Sequence, residues 1–195
     1  MSAVDLEAEM SAATRRVRKQ HVDRMVAHGV SVAAMQQLFP QQYVFGLERV
    51  RAASGGIYEP DDGGGWAAVV PVVQWREIDP YGLPALLTGE IVDLVAFHLD
   101  SPMRWWWRVG HAWLLGEHLL DDRGESVAVV ATPLDWLACG GDAVCILDWR
   151  APASFWSSLR HGPALSFTDD TLRQRVRKAL VANTPLPIME YSHAC

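Results

Sequence analysis

The spacing of apolar positions changes character twice along this chain. Over residues 4–28 they recur at helical intervals, with Leu6, Met10, Ala13, Val17, His21 and Met25 near one face. Asp5, Glu7 and Glu9 sit in the first turns, where the helix dipole favours negative charge, and Gly29 closes this predicted helix. Ser31 caps a second short helix, Val32 to Leu38, which Phe39-Pro40 ends. From Leu47 to His98 the pattern is that of strands. They are expected over Leu47–Ala53, Ile57–Glu59, Trp66–Val73 and Glu90–His98, with a glycine-rich turn at 60–65 and a loop or insertion over 77–89. Pro71 puts the third of these at an edge or a bulge. Asp93 falls inside the last one; a buried carboxylate needs a partner, and Arg104 and Arg108 are the obvious cations. His111 to Leu120 reads as a helix containing Gly116.

The second change comes at Val127. The stretch Val127 to Arg150 reads strand, turn, short helix, turn, strand. Val127–Ala131 is a continuous β-branched run suited to a strand buried on both faces. Thr132 is the expected helix cap and Pro133 the first helical residue, where a missing N–H costs nothing. Leu134–Cys139 is the helix, Gly140-Gly141 its end, and Ala143–Leu147 the second strand. The alternation continues with a helix over 152–159, a strand over 163–167 and a last helix, Thr171 to Ala182, capped by Thr168 or Asp169. Alternating strands and helices predict a small, mostly parallel sheet with helices on its faces, preceded by a strand-rich segment. The expected class is therefore mixed α/β, with residues 1–46 as a helical N-terminal segment, 47–195 as the α/β domain and 127–182 as its core.

Composition narrows the picture. Half of the 195 residues are hydrophobic and 21% are charged, enough apolar surface for a real core. The formal charge of −6 carries no global nucleic-acid signature, so any anion binding must come from local patches. Cys139, Cys145 and Cys195 form no CxxC pair. No signal peptide and no apolar run of membrane-spanning length is visible, and the expectation is a cytoplasmic protein with no membrane partner.

Candidate chemistry is sparse. The glycine cluster at 63–65 has neither the lysine of a phosphate loop nor dinucleotide-loop spacing, and no metal-ligand motif is present. Asp148, Asp169 and Asp170 each follow a predicted strand, where ligands of such sheets gather, and together they are the candidate catalytic residues. Such carboxylates could hold Mg²⁺ and polarise a phosphate, the only cofactor considered, in a phosphoryl-transfer or nuclease reaction. The structural alternative makes Asp169 or Asp170 a helix cap and pairs Asp148 with Arg150 or Arg160. Candidate phosphate contacts are Arg15, Arg16, Arg18 and Lys19 on the first helix and Arg173, Arg175 and Arg177 on the last. Arg104 and Arg108 flank Trp105-Trp106-Trp107, which suits either stacking on single-stranded nucleic acid or a protein interface. The turn at 29–31 between the first two helices has helix-turn-helix spacing, which many plain helical hairpins share.

Several segments together resemble the Toprim domains of primase-like proteins from phages and mobile elements. VVPVV at 69–73, Gly89, IVDLVAF at 91–97 and Arg108-Val109-Gly110 look like the module that precedes the Toprim core. VAVVA, Thr132-Pro133, LDWLACGG, AVCIL and Asp148-Trp149-Arg150 look like the core itself. Thr132 stands where that family has a glutamate, Pro133 where it has a glycine, and only the first acid of its Asp-x-Asp motif is present, as Asp148. The resemblance thus implies a degenerate, non-catalytic member: an accessory factor in phage or mobile-element DNA metabolism, with DNA and other replication proteins as partners.

Overall fold

The computed structural model describes residues 4–38, 44–78, 86–120 and 126–183. Three helices lead the chain: α1 (Leu6–Arg15), α2 (Lys19–Ala27) and α3 (Val32–Leu38). The single helix expected over 4–28 is therefore two. Arg18 is extended, with φ −129° and ψ 166°, and its N–H donates to His21 Nδ1 at 2.9 Å to close the first turn of α2. The helical spacing persists across the break, yet it serves two cores. Met10 of α1 and Met25 of α2 are both buried, on opposite sides of the main sheet.

That sheet is formed by β1 (Gly46–Ala52), β2 (Tyr58–Pro60), β3 (Gly65–Ile78), β4 (Leu86–His98) and β5 (Ser101–Trp107), in the order β2-β1-β3-β4-β5 and antiparallel throughout. The expectation of a mostly parallel, Toprim-like sheet is thereby overturned. What reads as a preceding strand-rich module is the main sheet. The physical reason is that both faces of its central strands are covered. Val69, Leu94 and Ala96 pack under α1, while Val70, Val95 and Phe97 face the rest of the protein. An antiparallel strand buried on both sides loses the apolar-polar alternation that normally marks it.

A smaller sheet follows, built from β6 (Leu114–Leu115), β7 (Val127–Val130), β8 (Val144–Ile146) and β9 (Leu165–Phe167) in the order β6-β8-β7-β9. β7 is parallel to both β8 and β9, and β6 is antiparallel to β8. Here the local reading of 127–147 holds. Thr132 Oγ1 accepts the Asp135 N–H at 3.1 Å, Pro133 opens α4 (Pro133–Ala138), and β7 and β8 pair in parallel on either side of it. The final helices are α5 (Ala153–His161) and α6 (Asp170–Ala182).

The molecule is layered. α1 lies on one face of the main sheet. Leu115, Cys145 and Leu147, with α3 and α4, fill the space between the two sheets. On the far face of the small sheet, Val127, Val129, Val144 and Ile146 meet Trp156 and Leu159 of α5 and Leu172 and Val176 of α6. Each such side chain removed from water is worth roughly 1.5–3 kcal/mol, which is what holds the layers together. Gly46 lets α1 approach β1, since a Cβ there would come within 2.5 Å of Ala13 Cβ.

Two further expectations change. The loop expected at 77–89 is partly strand, because β3 extends to Ile78 and β4 begins at Leu86. The residues between, 79–85, lie outside the described ones. Pro71 sits beyond Val69, the last β3 residue paired with β1, and next to a register shift at Val72/Val73, so no ladder bond is lost to it on that side. The helix expected over 111–120 is instead β6 followed by a 3-10 turn at 117–120. Gly116 decides this. Its φ is +78°, and a Cβ would lie 2.2 Å from the Ala143 carbonyl oxygen.

Asp93 is fully buried, but neither the Arg104 nor the Arg108 side chain is its partner. One carboxylate oxygen accepts the backbone N–H groups of Leu94, Arg108 and Val109 at 2.8–3.0 Å. The other accepts those of Gly110, His111 and Ala112 at 2.9, 2.8 and 3.3 Å. Six amide dipoles thus replace the water this charge has lost. The Arg108 guanidinium turns the other way, forming a bidentate pair with Glu9 of α1 at 2.7 and 2.9 Å. That hydrogen bond to Glu9 raises the Arg108 pKa above its ordinary value.

Asp93→Asn is close to isosteric but aims an NH₂ at N–H donors. It should lower unfolding free energy by about 2–4 kcal/mol in denaturant titration, nearly as much as Asp93→Ala. A loss under half a kcal/mol would show that the nest does not depend on the charge. Gly116→Ala should cost about 1–3 kcal/mol by the same measurement, from the strained φ and the Ala143 contact.

Candidate functional site

Because β8, β7 and β9 run parallel side by side, their carboxyl ends share one edge of the small sheet. Thr132, Asp148 and Asp169 follow those ends, as the sequence indicates. Each is engaged locally. Thr132 caps α4 and donates its hydroxyl to Asp135 at 2.7 Å. Asp148 accepts the Arg150 N–H at 2.8 Å and pairs with its guanidinium at 3.3 Å. Asp169 caps α6 by accepting the Thr171 N–H at 2.8 Å. Asp170 is held by Arg173 and Gln174, and the hydrogen bond from Arg173, followed by that from Gln174, keeps its carboxyl below the ordinary carboxylate range. Among the described residues no group of three or more His, Cys, Asp or Glu is placed to hold a metal ion. Nor does either described cysteine offer a thiol of lowered pKa. Burial first, then Asp135 and Asp142, raise the Cys139 pKa, and burial raises that of Cys145 further.

The candidate basic residues divide by what holds them. Arg16 is paired with Glu48 and Arg108 with Glu9. Arg18 donates to the carbonyls of Arg15 and Val17, and Arg15 to Ser11 Oγ at 3.2 Å. Lys19 is exposed, and Arg104 lies 6.0 Å from the Trp106 ring. α3 presents only Val32, Ala33, Gln36 and Gln37 outward, so the second helix of the hairpin offers no cation. The tryptophan run is β-strand and none of its rings is fully exposed. Trp105 Nε1 donates to the Leu147 carbonyl at 3.1 Å and Trp107 Nε1 to that of Ala112 at 3.0 Å, while Trp106 packs edge-on against His98 at 5.3 Å.

α6 is different. Leu172 and Val176 bury one side, and the exposed arc carries Arg173, Gln174, Arg175, Arg177 and Lys178. Arg173, Gln174, Arg177 and Lys178 border a groove of about 590 Å³. Arg177 and Lys178 make no ion pair among the described residues. The Arg175 guanidinium lies 3.8 Å from the Trp149 ring, which joins α6 to the loop that carries Asp148. Sequence reasoning found the basic helix but missed this stacked pair, which joins residues far apart in the chain. Segment 148–183 holds six of the chain's seventeen Lys and Arg and only three of its twenty-three acids, so it is positive on an acidic protein.

No helix among the described residues is long and apolar enough to cross a membrane. In comparisons with known proteins, no family model matches this chain, and no curated protein or solved structure matches it significantly.

Proposed function

We propose that this protein is a non-catalytic nucleic-acid-binding factor whose contact surface is the exposed arc of α6. The observation that carries the reading is the pair of exposed cations Arg177 and Lys178, which make no ion pair among the described residues and stand beside Arg173, held by Asp170, and Arg175, stacked on Trp149. Arg173 and Arg177 are one turn apart, about 6 Å along the axis, close to the separation of successive phosphates on an extended strand. Their positions on a helix make the row rigid, and the groove beside it admits a backbone. Arg150, whose side chain is 82% exposed, and the Arg175–Trp149 stack extend the positive surface toward the edge of the small sheet. The reading does not draw on the Toprim resemblance, whose mostly parallel sheet is absent. It narrows the nine candidate contacts, since Arg16 and Arg108 neutralise acids of the protein itself.

Fluorescence anisotropy with labelled single- and double-stranded oligonucleotides tests this at two salt concentrations. Binding should weaken steeply with salt, and Arg177→Gln with Lys178→Gln should reduce the log–log slope by about 1–2. Arg16→Gln should leave the slope unchanged. Salt-insensitive binding, no binding to either form, or an α6 variant that binds like the parent would each end the proposal.

A further inference from the structure

A cleft of about 370 Å³ opens between α2, the starts of β1 and β3, and the turn joining β4 to β5. It lies at one end of the main sheet beside α2, in a different layer from α6. Its floor is apolar: Met25, Phe45, Leu47 and Ala68 are all buried. One wall is Trp66, 53% exposed, with the Arg49 guanidinium 5.4 Å from its ring. A large aromatic left half in water beside an apolar hollow is surface that the fold itself does not cover.

The polar groups at the mouth have an uneven balance of donors and acceptors. Arg24 donates one of its five N–H groups to Asp100 at 2.7 Å. The other Asp100 oxygen faces His28 Nε2 at 3.5 Å, so each oxygen of this carboxylate has a neighbour while most Arg24 donors have none. His98 donates from Nδ1 to the Trp66 carbonyl at 2.8 Å, because a carbonyl only accepts. Its ring is thereby fixed, and Nε2 is left to meet a ligand as an acceptor when neutral or a donor when protonated. His21 accepts the Arg18 N–H on Nδ1, which puts its proton on Nε2. The donors that Arg24 leaves unspent thus stand at the mouth above an aromatic-lined floor.

We propose that this cleft binds a small aromatic molecule bearing one anionic group, a carboxylate or a phosphate monoester. The ring lies against Trp66 and Phe45 and the anion meets Arg24, with His98 Nε2 as a second donor when protonated. The volume suits one ring system with its head group. Asp100 competes with such a ligand for Arg24, which gives the site a test with opposite signs at neighbouring residues.

Phenyl phosphate and phenylacetate are the anionic probes, with benzyl alcohol and benzylamine as neutral and cationic controls. Each is titrated into the full chain and followed by amide and histidine-ring NMR shifts. At least one anion should shift the signals of Trp66, His98 and Ser101, with both controls weaker. Arg24→Gln should weaken that binding by about tenfold or more. Asp100→Asn, at a carboxylate 72% exposed and so of little consequence for folding, should tighten it. A fold defect cannot raise affinity, so this second variant separates a site from damage. No shift with either anion, controls that bind as well as the anions, or an Asp100→Asn protein that binds no tighter would overturn the proposal. The α6 variants should not alter these titrations, so the two readings stand or fall separately.

Discussion

The carboxylate of Asp93 is the constraint on which the layout turns. It is buried in the main sheet, where an unpaired charge would be prohibitive, and its partners are the amides of the chain leaving β5. Five consecutive N–H groups, from Arg108 to Ala112, fold around it. That fixes where the chain turns after β5 and hence where β6 and the small sheet begin. Two tryptophans secure the same joint. Trp107 bonds the carbonyl of Ala112 and Trp105 that of Leu147 at the end of β8. The connection between sheets is therefore held by directional bonds, with the apolar layer between them supplying most of the free energy.

Around this joint, structural ion pairs absorb much of the basic surface. Glu9–Arg108 fastens α1 over the main sheet beside Tyr58, whose hydroxyl burial pushes well above its usual pKa. Glu48–Arg16 ties the end of α1 to β1, and Asp100 with Arg24 ties α2 to the β4–β5 turn. The most exposed of them, Asp100–Arg24, adds little stability, typically under about 1 kcal/mol. Their consequence for function is larger, since a cation matched by a protein carboxylate contributes little to binding a polyanion. On α6 the one first-turn acid is taken by Arg173, and Arg175, Arg177 and Lys178 make no ion pair among the described residues.

The two surfaces argued to bind ligands thus lie in separate layers and rest on different physics. α6 offers charge on a rigid helix with almost no apolar contribution, which suits an extended polyanion. The α2 cleft offers an apolar floor and a few oriented donors, which suits a small molecule. Because the small sheet and its two apolar layers stand between them, occupation of one need not alter the other.

Much of the local structure follows from the sequence because its signals are short-ranged. Thr132 and Pro133 start α4, Gly140-Gly141 end it, Ser31 caps α3 and Asp169 caps α6, each through contacts within three residues. The β7–α4–β8 unit was legible for that reason, and so was the basic arc of α6. Tertiary structure decided the rest. A strand covered on both faces reads as the same apolar run whether its neighbours are parallel or antiparallel, so the dominant sheet's direction was hidden. The partners of Asp93 are amides 15–19 residues downstream, and an amide has no side-chain signature. Which arginines remain for a ligand depended on Glu9 and Glu48, lying 99 and 32 residues from the cations they neutralise, distances at which sequence pattern carries no information.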